Sequence, residues 1–241
     1  MINIGSKTHI ELIENLKKAN IIKSERVYNT MLSTDRALFC PSMAYEDAPQ
    51  YIGYGATSKY FFMFKLKLNN LVSAPHMHAI SACLLEDSLR PGSKALDIGC
   101  GSGYFVALLA KMIQPGGIVV GVEHIKELAE QAKENLKKMP DTYEMLKDGR
   151  IKIICADGRL GYPKEGPYDV CHVGACAKEI YQTLKDQLKE NGRMVIPVGD
   201  EYEQYIMYVY KDINSRITVK RLSQVKKYVP LTDLPKNYSS F

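Results

Sequence analysis

The stretch Leu96-Asp97-Ile98-Gly99-Cys100-Gly101-Ser102-Gly103 runs from an apolar segment into a turn with glycine at every second position. Followed by the apolar run that opens at Tyr104, it reads as strand, glycine turn and helix. Glycine permits a left-handed backbone and the close approach of a ligand, and the helix that follows offers unpaired N–H groups. The spacing is G-x-G-x-G, and Tyr104 stands where a nicotinamide fingerprint needs glycine. Asp97 is a second discriminator, because a pyrophosphate favours helix N–H groups whereas a cationic ligand favours a nearby carboxylate. Twenty residues after Gly103, Glu123 ends the run Val119-Val120-Gly121-Val122-Glu123. A carboxylate at that place accepts the hydroxyls of an unphosphorylated ribose. The pattern predicts a ligand with a free ribose and a positive charge, which S-adenosylmethionine combines.

Outward from this turn, apolar runs and helical periods alternate. Strands are predicted over 94–98, 118–123, 151–156, 168–173 and 193–198, and helices over 104–113, 125–138 and 178–188. That alternation predicts an α/β fold, a mostly parallel sheet with helices on both faces. Runs over 203–211 and 217–225 flank the polar turn Asp212-Ile213-Asn214-Ser215, so an antiparallel hairpin should finish the sheet. Near the N-terminus, Thr8 and Glu11 have capping-box spacing, and Ser24 can cap a second helix through Met31. Residues 47–55, with Pro49, Gly53 and Gly55, read as a surface loop. No repeat or linker interrupts the chain. One domain over 1–241 is expected, with a helical and loop cap over 1–57 and a core over 72–241.

Composition excludes several classes. With 46% hydrophobic and 24% charged residues, the 241-residue chain has the make-up of a packed globular protein. No apolar run approaches the roughly 18 residues of a membrane span, and residues 1–10 are polar, so a cytosolic protein without a membrane partner is expected. Six cysteines without a C-x-x-C pair indicate reduced thiols and no metal site. The net charge of +5 comes from lysines scattered along helix faces, which does not suggest a nucleic-acid partner.

Two further motifs carry chemistry. Cys155-Ala156-Asp157-Gly158 follows the third predicted strand, where Asp157 can accept from an adenine amino group or simply form an Asp-Gly turn. Ser73-Ala74-Pro75-His76-Met77-His78 precedes a helix and carries a hydroxyl and two imidazoles, although a serine cap with Pro75 opening the helix has the same spelling.

The L-D-x-G-x-G-x-G turn resembles the first motif of Rossmann-like methyltransferases. The S-A-P-H-M-H segment, Leu32-Ser33-Thr34-Asp35-Arg36, Asp157-Gly158-Arg159, His172-Val173-Gly174-Ala175, Ile196-Pro197-Val198-Gly199 and Tyr228-Val229-Pro230-Leu231-Thr232-Asp233 are similar to the protein-L-isoaspartate (D-aspartate) O-methyltransferases. This resemblance implies methyl transfer from S-adenosylmethionine, leaving S-adenosylhomocysteine, to damaged proteins and peptides that carry isoaspartyl residues. It also implies that a monomer performs this repair. Ser73 takes the place of the family's active-site serine. Cofactor contacts fall on Ala56, Thr57, His78, Asp97, Ile98, Gly99, Gly101, Gly103, Glu123, His124, Asp157, Gly158 and Thr232. The acceptor would meet Ser73, His78, Val173, Gly174, Ala175 and Val229. Two positions depart from the pattern: Asn237 replaces a glutamine, and Cys100 replaces a serine or another small residue. A same-fold enzyme with another acceptor, or a cofactor-binding protein with a disabled loop, would share the glycine turn.

Residues 58–71, SKYFFMFKLKLNNL, separate Thr57 from Val72 and Ser73, where the family runs A-T-I-S-A-P-H-M-H without interruption. A loop of this length costs little closure entropy, although its aromatic run would be an unusual surface. The genetic code offers another origin. Ser58-Lys59-Tyr60 can be written AGT-AAG-TAT, which contains a splice-donor string, and Asn70-Leu71-Val72 can supply the acceptor AAT-TTA-G. Removing those 42 nucleotides restores G-A-T-I-S-A-P-H-M-H. A genuine insertion and a retained intron are both consistent with the residues.

Overall fold

The computed structural model describes residues 6–52, 71–225 and 228–231. Ala56, Thr57, Thr232, Asn237 and all of the atypical segment except Leu71 lie outside the described residues.

Two helices open the chain. In α1 (His9–Lys18) the Thr8 hydroxyl accepts from the Glu11 N–H at 3.3 Å, and Leu12, Ile13 and Leu16 are buried. In α2 (Glu25–Leu32) the Ser24 hydroxyl accepts from the N–H groups of Arg26 and Val27. The expected loop over 47–55 contains a short strand, β1 (Gln50–Tyr51), paired antiparallel with β2 (Leu71–Val72). Tyr51 pairs with Leu71, so the last residue of the atypical segment belongs to this ladder. Helix α3 (Pro75–Leu85) follows, with proline in its first turn, where a missing N–H costs nothing.

The central layer alternates as expected: β3 (Lys94–Ile98), α4 (Tyr104–Met112), β4 (Ile118–Glu123), α5 (Lys126–Leu136), α6 (Pro140–Lys147), β5 (Ile151–Cys155), β6 (Tyr168–Val173), α7 (Gln182–Asp186), β7 (Leu188–Gly199), β8 (Gln204–Lys211) and β9 (Ile217–Val225). The strand order is β5-β4-β3-β6-β7-β8-β9, parallel through β7 and antiparallel for the last two. Alternate residues serve two cores. Leu96, Ile98, Val120 and Val122 pack with Leu184, Met194 and Ile196 on one side. Ala95, Val119 and Val170 pack with α4 residues such as Val106 and Leu109 on the other. The chain order reverses between β3 and β6, and at such a reversal a crevice opens beyond the carboxyl ends of the strands.

Three differences from the expected elements have local causes. The helix predicted over 178–188 shrinks to Gln182–Asp186 because Cys176 and Ala177 stay extended, bridging to Pro230 and Val198, and Leu188 already pairs with Tyr168 in the sheet. Strand β7 starts at Leu188 instead of 193, across an irregular register in which Asn191 takes φ 61°. Helix α6 was not expected; Pro140 starts it, and Thr142 and Met145 fill the space it covers.

Candidate active site

The glycine turn connects β3 to α4, with Gly99, Gly101 and Gly103 all in the left-handed region (φ 67°, 53° and 84°). Opposite it, the chain leaves β6 through Gly174, whose N–H donates to the Ile98 carbonyl at 2.7 Å. A Cβ at Gly174 would stand 2.9 Å from the Gly99 carbonyl oxygen, so only glycine lets the two turns lie this close.

A pocket lies at this reversal. Ser73, His78, Asp97, Gly99, Gly101 and Gly174, predicted on separate grounds, line it together with Ser102, Tyr104, Phe105 and His172. Asp97 is 1% exposed, and its Oδ1 accepts from His172 Nδ1 at 2.6 Å. Burial pushes the Asp97 carboxyl upward, and the adjacent His172 opposes that shift. Among the described residues its Oδ2 is buried without a partner, as is the hydroxyl of Ser102. A buried carboxylate oxygen left open beside a glycine turn suits an ammonium donor. The glycine turn also brings Glu123 within reach. Its Oε2 accepts from the Gly101 N–H at 3.1 Å and its Oε1 from the Ile125 N–H at 3.1 Å, and His124 Nδ1 lies 3.0 Å from Oε1. Oε2, with one donor among the described residues, has a second lone pair for a hydroxyl of the ligand.

On the acceptor side, α3 carries His78 to the pocket, and the link between β2 and α3 places Ser73 there. His78 is buried, and its imidazole is held well below the ordinary range, first by burial and then by Arg36. Arg36 Nη1 lies 3.3 Å from His78 Nδ1, which makes Nδ1 the acceptor and leaves the proton on Nε2. Phe105 stacks on His78 at 5.5 Å with an interplanar angle of 22° and lies 4.0 Å from the His172 ring. The Ser73 hydroxyl acts on Tyr228, a half-buried phenol whose pKa burial lifts to about 12 while Ser73 opposes that shift. Tyr228 is itself clamped by Gln204, whose amide accepts from its N–H at 2.5 Å and donates to its carbonyl at 3.3 Å. Val229 sits beside the exit of β6, where its carbonyl accepts from the Cys176 N–H at 2.8 Å.

The remaining expected residues are placed as follows. Ile98 and Val173 pair in the sheet. Ala175 packs against Gly99, and Gly158 lies against Ile98 and Leu231. Gly103 caps α4. Asp157 is held by Arg159, whose Nη2 and Nε lie 2.6 and 3.1 Å from its Oδ2 and which also reaches Oδ1. Sequence reasoning assigned no side-chain role to Arg36, His172 or Tyr228. All three lie in quoted family segments, but their roles depend on contacts distant in the chain.

The sequence profile of the family described as protein-L-isoaspartate(D-aspartate) O-methyltransferase matches residues 7–236. The chain belongs to this family. A protein-L-isoaspartate O-methyltransferase of Caenorhabditis elegans is 42% identical over 228 residues, which is 95% of this chain and 94% of that one. Another, from Triticum aestivum, is 43% identical over 92% of this chain and 90% of its own. The crystal structure of a protein-L-isoaspartate O-methyltransferase from Plasmodium falciparum in complex with S-adenosyl-L-homocysteine superposes with a TM-score of 0.81 at 35% identity, covering 94% and 99% of the two chains. As a family member, the chain is a protein-repair methyltransferase that uses S-adenosylmethionine.

Proposed function

We propose that this methyltransferase acts on the free α-carboxylate of L-isoaspartyl residues, and on the β-carboxylate of D-aspartyl residues, with Ser73 as its catalytic residue. The observation that carries this assignment of roles is the meeting of Ser73, His78, Asp97 and Gly174 around one pocket. When bound, S-adenosylmethionine supplies a methyl group on a positively charged sulfur. Asp97 would hold its ammonium, and Glu123, flanked by His124, its ribose. Asp157 and Gly158 would border its adenine, and the resemblance adds Ala56, Thr57 and Thr232 to the residues that would hold it.

The acceptor carboxylate has an ordinary pKa of roughly 3.5 and is already ionised at neutral pH, so no side chain must remove a proton from it. The chain's task is to strip water from that oxygen and aim it. Ser73 donates a hydrogen bond to the carboxylate, neutral His78 offers its Nε2 proton, and the extended backbone around Gly174, Ala175 and Val229 holds the peptide. Orientation of this kind contributes on the order of 7–11 kcal/mol to a two-partner reaction. The partners are proteins and peptides bearing isoaspartyl residues. The enzyme acts as a single-domain monomer in the cytosol, a location supported by six free thiols. No described helix is long and apolar enough to cross a membrane. The deciding assay compares methyl transfer from labelled S-adenosylmethionine to an isoaspartyl peptide and to its normal aspartyl twin. Transfer to the first alone is expected; transfer to neither, or to both equally, would reject the assignment.

A further inference from the structure

Arg36 is the largest of the fully buried side chains. A guanidinium removed from water is costly unless it is paired with a carboxylate, yet among the described residues Arg36 forms no ion pair. The neighbouring carboxylates make no contact with it, although Asp47 attracts its charge through space. Asp47 accepts from both the N–H and the Nδ1 of His76 at 2.9 Å. Asp35 accepts from the Ala37 N–H and the Tyr45 hydroxyl. Arg36 instead donates from Nη2 to the Ser73 carbonyl at 2.7 Å and from Nη1 to His78 Nδ1, and its charge lies 5.5 Å from the centre of the Tyr104 ring. Among the described residues its Nε has no hydrogen-bond partner.

Ser73, His78 and Tyr104, which Arg36 touches, all line the pocket. The opposite wall holds Asp97, and the rings of His172, Phe105 and His78 stand in a row between the two charges. A cation without a contacting counter-ion among the described residues is unfavourable beside a pocket that receives a sulfonium, so donor binding does not account for Arg36. An anionic acceptor can. Hydrogen bonds to a carbonyl and an imidazole do not require a full charge, and a neutral amide could supply them.

We propose that Arg36 is a specificity-determining positioning residue: its charge makes the acceptor end of the pocket selective for an ionised carboxylate, while its two N–H contacts fix Ser73 and the His78 tautomer. This rests on the isoaspartyl reading given above.

The test uses the full chain with wild-type Arg36, Arg36→Lys, Arg36→Met and Arg36→Gln. The last retains two N–H donors without the charge and replaces Arg36→Met if that variant does not fold. Removing the charge is expected to raise KM for an isoaspartyl peptide about tenfold, the size of one charge-assisted contact. Inhibition by the same peptide with its α-carboxylate converted to a carboxamide should be unchanged. Affinity for S-adenosylhomocysteine by calorimetry should be unchanged, and Arg36→Lys should recover part of the lost KM. If carboxylate and carboxamide peptides weaken alike, if lysine is no better than the neutral residues, or if cofactor affinity falls in parallel, the role is structural and the proposal is wrong. A wild-type enzyme that methylates no isoaspartyl peptide would reject the acceptor reading itself. An active wild type with indifferent variants would reject only the role of Arg36.

Discussion

The hydroxyl of Ser73, at the entry to α3, acts on the phenol of Tyr228 against the upward push of burial, and the Gln204 amide holds Tyr228 by both backbone groups. Because the Tyr228 phenol has a pKa of about 12, it keeps its proton throughout the neutral range. The two hydroxyls should therefore act together on the acceptor. Ser73→Ala is expected to lower kcat/KM for an isoaspartyl peptide about 10²-fold, as does removal of one oriented donor elsewhere. Tyr228→Phe should cost about tenfold, and the double variant should be scarcely worse than Ser73→Ala, since residues in contact do not add. Steady-state kinetics on the four proteins decides. Full activity and unchanged affinity in Ser73→Ala would remove the serine from the mechanism.

Asp97 should separate binding from stability. Burial raises its pKa above the ordinary carboxyl value, so the folded protein holds this proton more tightly than the unfolded chain. Stability contributed by the protonated form is then lost as pH rises through the folded value. Asp97→Asn escapes that loss. Without cofactor it should unfold at the same or a higher denaturant concentration than wild type at pH 7, while S-adenosylhomocysteine binds about 10–100-fold more weakly, the range for a lost charge-assisted hydrogen bond. Equal affinities by calorimetry would show that Asp97 does not receive the ammonium.

His78 predicts an acid limb of stability. Its pKa is held well below 6.5, so the unfolded chain takes up a proton near 6.5 that the folded protein refuses. Stability is therefore fully present above that value and declines as pH falls toward the folded pKa. Its slope approaches about 1.4 kcal/mol per pH unit for one proton. His78→Gln should flatten this slope by up to one proton in denaturant titrations between pH 6.5 and 5. An unchanged slope would mean that His78 does not stay neutral in the fold.

Residues 58–71 yield a prediction about the transcript. We propose that the main messenger lacks the 42 nucleotides framed by the splice-like strings, and that the resulting G-A-T-I-S-A-P-H-M-H protein transfers methyl groups faster than the 241-residue chain. Sequencing the messenger and assaying both proteins checks this. A main transcript that retains all 42 nucleotides makes the segment a genuine insertion.

The glycine turn, the strands around it and Glu123 were legible in the sequence because each depends on near neighbours: apolar period, glycine spacing and the end of a strand. Ser73 and His78 were legible through the resemblance. The pairing of Asp97 with His172 was not, because it joins adjacent strands across 75 residues of chain. Arg36 was harder still. In sequence it is an ordinary charged residue after Asp35, and only its complete burial against Ser73 and His78 reveals a cation without an ion pair among the described residues. The helix predicted over 178–188 failed for a related reason, since long-range bridges from Cys176 and Ala177 outweighed the local helical period. Helix α6 did have a local signal in Pro140, a residue suited to a first helical turn.

Strand β9 forms one rim of the sheet and is exposed along nearly its whole length. Lys220 and Arg221 lie on it, and its ladder with β8 is interrupted between Ile206 and Met207. Charges and an irregular ladder make a poor template for another chain. For an enzyme whose substrates are other proteins, such a rim disfavours the addition of a foreign strand to its own sheet.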